Sequence, residues 1–296
     1  MLHIALLVHG FAGKTAFMDE IQEKLHEMSK VPIYNTILNL SYYSSTYGLD
    51  FSLPYDLRTP IYDPRTNQTL AHHLFELIIK AIQPYPEFII MDIFAHSMGG
   101  LVTRAMIKYI LSKYNLNFSI RKVFLLGTPN HGTRLAQKLI NIPTDIFLTG
   151  LNLILELPRG GISGSDWYTL NSQFLQMVPK APFLKELNKS LNDIERFIEW
   201  FTIRGLNTSG LLESVWQPFL FRKFWINSTF PFIHRGIIPN DGLVDAQNVP
   251  LNHATNILIP EVGHMDLLKW KSSSSGRKVY TVVSEILKGE VGKESL

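Results

Sequence analysis

The stretch Glu87-Phe88-Ile89-Ile90-Met91-Asp92-Ile93-Phe94-Ala95-His96-Ser97-Met98-Gly99-Gly100 organises the reading of the whole chain. Its first eight residues form a near-continuous apolar run, the pattern of a strand buried on both faces. A segment of helical period, Gly99 to Ser112, follows almost without a linker. A serine at such a strand-to-helix corner sits on a tight turn that holds its hydroxyl up at the C-terminal edge of a sheet. The strand and helix backbones nearly touch there, so the positions two before and two after the serine must be small. They are Ala95 and Gly99. The competing reading is an ordinary serine in a glycine-rich turn. The buried strand before Ser97 and the helix after it favour a nucleophile.

Working outward, apolar runs of strand length alternate with helix-period segments. Leu2 to Val8, Ile33 to Leu40 and Arg121 to Leu126 read as further strands, with weaker candidates at Phe197 to Arg204 and Asn256 to Ile259. Thr15 to Lys30 is helical, with Phe17, Ile21, Leu25 and Met28 on one face. Thr69 to Gln83 is helical and is stopped by Pro84 and Pro86. Val279 to Leu287 reads as a terminal helix, preceded by a short flexible loop at Ser272 to Gly276. Ser41 to Arg65 reads as a long loop rich in Tyr, Pro and Ser. The alternation predicts an α/β fold, a mostly parallel sheet with helices on both faces. Two stretches break the rhythm. Asn141 to Asn192 is longer than a crossover needs, and Ser214 to His234 is crowded with aromatic residues.

Composition narrows the classes. With 296 residues the chain can bury roughly 75% of the surface it exposes when unfolded. Hydrophobic residues are 46% and charged residues 18%, which excludes a disordered chain. A net charge of +3 without a basic run gives no case for a nucleic-acid partner. Cysteine is absent, which excludes disulfides, thiolate metal sites and a cysteine nucleophile. The N-terminus has no Lys or Arg before position 14 and enters a strand at once, so no signal peptide is read there. No run approaches 18 apolar residues, and a cytoplasmic protein is the expectation.

The glycine-rich run Val8-His9-Gly10-Phe11-Ala12-Gly13 directly follows the first strand. A tetrahedral oxyanion needs preorganised N–H donors. The amide of Phe11 can supply one and that of Met98, at a helix N-terminus, the second. A phosphate-binding loop is the alternative, but neither G-x-G-x-x-G nor G-x-x-x-x-G-K-[ST] is present. A serine nucleophile also needs a base, and the base needs a carboxylate. In a strand–turn–helix nucleophile architecture the chain order is Ser, acid, His. Of the ten histidines, only His264 follows the last strand candidate. The acid lies in Asn240-Asp241-Gly242-Leu243-Val244-Asp245, where the tight Asn-Asp-Gly turn projects Asp241. Asp245 is the rival, with a loop-capping role as its alternative. The histidines, including the pair His72-His73, show no metal-ligand spacing, and no metal or cofactor is expected.

Taken together, these motifs resemble those of an α/β-hydrolase of the bacterial lipase and esterase type. His9-Gly10-Phe11 resembles the family's oxyanion loop, and Ala95-His96-Ser97-Met98-Gly99-Gly100 its Ala-for-Gly nucleophile elbow. Leu126-Gly127-Thr128-Pro129-Asn130-His131-Gly132-Thr133 is similar to the segment after the next strand, with Asn130 where His is common. Asn240-Asp241-Gly242-Leu243-Val244 resembles the acid loop and Val262-Gly263-His264 the histidine loop.

The resemblance implies a single α/β-hydrolase domain over 1–296, its sheet shortened on the N-terminal side, with a helical lid or cap insertion at 141–235. Val178 to Leu184 looks like part of that lid. It implies a serine ester hydrolase with Ser97, Asp241 and His264 as triad and Phe11 and Met98 as oxyanion donors. The substrate class implied is a small-molecule or lipid ester, with transient contact to a lipid surface through the lid. A thioesterase or transacylase would use the same triad, and a non-catalytic lipid-binding module is the rival outside enzymes. Residues 146–157 carry eight Leu, Ile or Phe, which suits an acyl groove or a surface that meets lipid, with a rigid packed cap as the alternative.

Overall fold

The structure is a computed structural model that describes residues 1–11, 13, 15–28, 33–43, 59–114, 116–139, 172–206 and 239–289. Among these, six strands form one sheet: β1 (Leu2–Val8), β2 (Thr36–Leu40), β3 (Ile89–His96), β4 (Phe118–Leu126), β5 (Glu199–Leu206) and β6 (Thr255–Pro260). Their order is β2-β1-β3-β4-β5-β6 and every pairing is parallel. The helices are α1 (Asp19–Glu27), α2 (Leu70–Ile82), α3 (Met98–Tyr109), α4 (Arg134–Leu139), α5 (Ser172–Met177), α6 (Pro182–Leu187), α7 (Asp193–Arg196) and α8 (Ser274–Lys288).

Period-two alternation divides each central strand between two cores. Ile4, Leu6 and Val8 of β1 pack with α2, α3, α5 and α6, whereas Ala5 and Leu7 pack with α1 and α8. The second core is built around an aromatic ladder. Phe94, Phe124 and Phe201 are register partners on β3, β4 and β5, and their rings stack at 4.7 Å and 5.0 Å. Trp270 and Tyr34 each set an edge against Phe94. This is the predicted parallel sheet covered on both sides, and a doubly covered sheet requires strands that are apolar throughout.

One buried charge interrupts that rule. Asp92 is buried in the middle of β3, at a register shift between β3 and β4. Its carboxylate accepts from Tyr34 Oη at 2.8 Å, from Arg121 Nε at 3.0 Å and from the amide of Lys122 at 3.1 Å, and it pairs with Arg121 Nη2. The bulge would otherwise leave a strand amide without a partner, and the side chain takes it.

Several expectations are corrected. Thr15 to Lys30 is not one helix: Thr15–Met18 is a 3-10 turn and α1 follows it. The serine patch at 272–276 is the start of α8, because Ser273 caps the helix by accepting from the amide of Gly276. The span 141–235 is not one continuous lid. β5 lies inside it and pairs with β4 and β6 as part of the sheet. Ala181 and Leu184 are buried in the core, and Arg104 of α3 donates to Leu187 O and Asn188 Oδ1, so 178–188 belongs to the body. The apolar segment 141–157 and the aromatic segment 214–234 lie outside the described residues.

Removing one member of a buried ion pair costs about 3–5 kcal/mol, and Arg121 is a third exposed, which favours the lower end. Asp92→Ala is therefore expected to lose about 3 kcal/mol of stability. Urea unfolding should show a lower midpoint at unchanged slope.

Candidate active site

A parallel sheet sends all its strand C-termini to one edge, and the loops leaving them converge. Ser97 sits at that edge between β3 and α3 with φ 52° and ψ −128°, a backbone conformation that L-residues rarely adopt. The turn survives because its surroundings over-determine it. The Ser97 amide donates to Leu126 O at 2.8 Å, and the Gly100 amide donates back to Ser97 O at 3.0 Å. Space is the other constraint: a Cβ on Gly99 would lie 2.1 Å from the carbonyl oxygen of His9. Ala95 is fully buried beneath the turn.

The loop after β1 reaches the same point. A Cβ on Gly10 would lie 3.0 Å from Ser97 Cβ and 3.0 Å from His96 Nδ1. Among the described residues the amides of Phe11 and Met98 have no acceptor. Met98 opens α3, where the first N–H groups are left unpaired by helix geometry. Phe11 packs its ring on Phe174 of α5, 4.5 Å away.

Asp241 precedes β6 and His264 follows it, and the two side chains meet. His264 Nδ1 lies 2.8 Å from Asp241 Oδ2, and both side chains are buried. A second link is made by the backbone, His264 N to Asp241 O at 2.8 Å. The other carboxylate oxygen, Oδ1, accepts from the amides of Leu243 and Val244 at 3.0 Å and 2.8 Å. A carboxylate only accepts, so Nδ1 is the donor of this bond, and in a neutral ring that leaves Nε2 as the acceptor. The ring covers Gly127, where a Cβ would lie 3.1 Å from His264 Nδ1, and Gly127 is next to the residue that accepts from Ser97.

Asp245 stands apart from His264. Its carboxylate is gripped by Arg134, with Nε at 2.9 Å and Nη2 at 2.6 Å, and it also accepts from Asn248 Nδ2. Thr133 Oγ1 donates to Leu243 O at 2.6 Å, so α4 and its N-terminal residues clamp the loop that carries Asp241. Asn130, where the resemblance expects His, is buried, accepting from Arg104 and donating to Val249 O.

Two other histidines line the site. His96 Nε2 donates to His264 O at 3.2 Å, and its ring lies 4.6 Å from that of His264. Burial, and then the proximity of His264, push its pKa well below the ordinary value. His9 is lowered to about 4 by burial, partly offset by its hydrogen bond to Gly10 O. Both are neutral at pH 7. The motif reading did not assign either a part, and it passed over Ser41 and Tyr42 altogether. The available signal was position: Ser-Tyr-Tyr directly follows β2 at the same edge.

Among the described residues no group of three or more His, Asp or Glu side chains could hold a metal ion. No described helix is long and apolar enough to cross a membrane. The arrangement itself suits acyl transfer: a constrained hydroxyl, an imidazole oriented by a buried carboxylate, and two amides without acceptors among the described residues.

The class is set by the architecture, a parallel sheet with helices on both faces in the α/β-hydrolase fold. The fold is similar to that of the mature Bacillus licheniformis lipase BlEst2, at 16% identity and TM-score 0.57 over 97% of this chain and 92% of that one. Staphylococcus hyicus lipase is similar over 97% and 95% of the two chains, at 13% identity and TM-score 0.53. Phospholipase PlaB from Legionella pneumophila is similar over 98% of this chain and 64% of that one, at 13% identity and TM-score 0.55. The chain belongs to the family described as Domain of unknown function (DUF7379), which matches residues 2–205. No curated protein matches its sequence.

For chemistry run through Ser97 and His264, Asp241→Asn is expected to be far more damaging than Asp245→Asn. An amide at 241 no longer stabilises an imidazolium or selects the tautomer, and the analogous change in serine proteases costs about four decades. Loss of the Arg134 partner at 245 should cost about tenfold or less. Steady-state rates of the two variants decide it; the reverse order would assign the acid to Asp245.

Proposed function

We propose that this protein is a serine ester hydrolase of the bacterial lipase and esterase type, acting on carboxylic esters with lipid acyl chains. The observation that carries the reading is the buried His264–Asp241 pair at the sheet edge where Ser97 occupies its constrained turn. Ser97 Oγ attacks the ester carbonyl carbon while His264 Nε2 takes its proton. The carbonyl electron pair moves onto oxygen, and the amides of Phe11 and Met98 stabilise that oxyanion. Collapse breaks the bond to the alcohol, which leaves with the proton held by His264. Water then enters by the same base catalysis, frees the acid from the acyl-enzyme and restores Ser97. Asp241 holds the imidazole and stabilises its charged form between the two transfers.

Lipid acyl chains are favoured by the apolar stretches around the motifs, at 146–157 and 214–234, and contact with a lipid surface would use the same residues. The similar solved structures include lipases and a phospholipase, which agrees with an ester substrate.

A fluorophosphonate probe should label the wild type, and Ser97→Ala should lose both labelling and about three or more orders of magnitude of ester hydrolysis. Residual activity within tenfold of wild type would remove Ser97 from the nucleophile's role. Each buried CH₂ contributes roughly 0.8 kcal/mol, so kcat/KM on p-nitrophenyl esters should rise from acetyl to octanoyl. Replacing Leu153 and Leu155 with Ser should flatten that rise. An acetyl or butyryl optimum, unaffected by those changes, would make the protein a short-chain esterase.

A further inference from the structure

The Gly10 carbonyl, which shares a peptide group with the Phe11 amide, is reached by a side chain from the loop after β2. Tyr42 is fully buried, and its hydroxyl lies 2.8 Å from Gly10 O and 3.1 Å from His9 O. Its ring stacks on the His9 imidazole at 4.5 Å. His9 is held in turn: Nδ1 lies 2.8 Å from Gly10 O and Nε2 lies 2.9 Å from Ser41 Oγ. A carbonyl only accepts, so the proton of this neutral ring is on Nδ1 and Nε2 accepts from the Ser41 hydroxyl. The Gly13 amide approaches the same Gly10 carbonyl at 3.1 Å.

We propose that Tyr42 is a positioning residue for the oxyanion donor of Phe11, with His9 and Ser41 as its support. The inference rests on the ester-hydrolase reading of the site. The Gly10 carbonyl and the Phe11 N–H belong to one peptide group. In a trans peptide they point in opposite directions, so donors that pin the carbonyl also aim the N–H. Three donors on that oxygen leave the peptide plane little freedom. They also polarise the amide, and hydrogen bonds on a carbonyl strengthen the N–H of the same peptide as a donor. Gly10 itself closely approaches Ser97, and the Phe11 amide has no acceptor among the described residues. Burial raises the Tyr42 pKa well above the usual tyrosine value, so the hydroxyl keeps the proton it must donate. Tyr43 extends the support: it donates to Gln173 Oε1 of α5 at 2.7 Å, tying this loop to the helix that places Phe174 on Phe11.

Tyr42→Phe keeps the ring and its stack on His9 and deletes only the shared proton. Deleting an oxyanion donor outright costs about 10²–10³ in kcat. Loosening one should cost less, about tenfold to a hundredfold in kcat, with KM within about threefold. An alkyl boronic acid, which forms a tetrahedral adduct on an active serine, should lose affinity by the same factor as kcat/KM. A role confined to packing would lower the melting temperature and leave that affinity alone.

Ser41→Ala is the second variant. It frees His9 Nε2 without touching Tyr42, and it should give a smaller loss, about threefold or more, in kcat and boronate affinity together. It decides the matter if Tyr42→Phe does not fold. Unchanged kcat and boronate affinity in the folded variants, beside a wild type that labels and hydrolyses, would overturn the inference and leave the reading of the site intact. A wild type that neither labels nor hydrolyses any ester would overturn both.

Discussion

Everything at the working edge of this molecule depends on one close approach, that of the first turn of α3 to the end of β1. A Cβ at residue 99 would stand 2.1 Å from the His9 carbonyl oxygen. Only glycine permits the two backbones to come so near, and their nearness sets Ser97 beside the loop that carries Phe11. The strain at Ser97 is a consequence, since a strand that turns at once into a helix over a neighbouring strand leaves the corner residue no relaxed conformation. A φ of 52° on a residue with a side chain costs on the order of 1–3 kcal/mol. The two cores, one of them built on the stacked Phe94, Phe124 and Phe201, supply the rigidity that offsets it.

Electrostatics at this edge separate three histidines by their partners. His9, His96 and His264 are all buried, but among the described residues a carboxylate faces only His264 of the three. His9 and His96 meet backbone carbonyls and a hydroxyl, which gives little compensation for an imidazolium, and burial keeps them neutral. They act as rigid donors, and among the described residues His264 is the ring of the three that has a counter-ion beside it. The same division applies to the acids. Asp241 meets His264 and two loop amides, while Asp245 is neutralised by Arg134 and holds the loop in shape.

Much of this was legible from residue order. The apolar strands, the elbow around Ser97 and the glycine-rich loop after β1 rest on local rules: period-two burial, small residues at a tight corner, and amides exposed at a helix start. Those rules hold whatever the rest of the chain does. Local reading failed where a residue's partner is remote in sequence. Asp92 sits in an apolar run as an anomaly until Tyr34 and Arg121 arrive from other elements. The serines at 272–276 resemble a linker until Ser273 caps α8 and Gly276 fits under the Lys269 carbonyl. β5 was a weak strand by its own pattern, and pairing on both sides makes it central.

By itself, then, the sequence determined the class of fold and the strand-to-helix corner, because periodicity and steric size act over a handful of residues. Tertiary structure decided between Asp241 and Asp245 as the partner of His264, since that is a matter of which carboxylate Arg134 already occupies. It also brought Tyr42 onto the carbonyls of His9 and Gly10 across 33 and 32 positions of chain. Such contacts form only once β1 and β2 lie side by side, and no local pattern records the direction in which a buried hydroxyl will point.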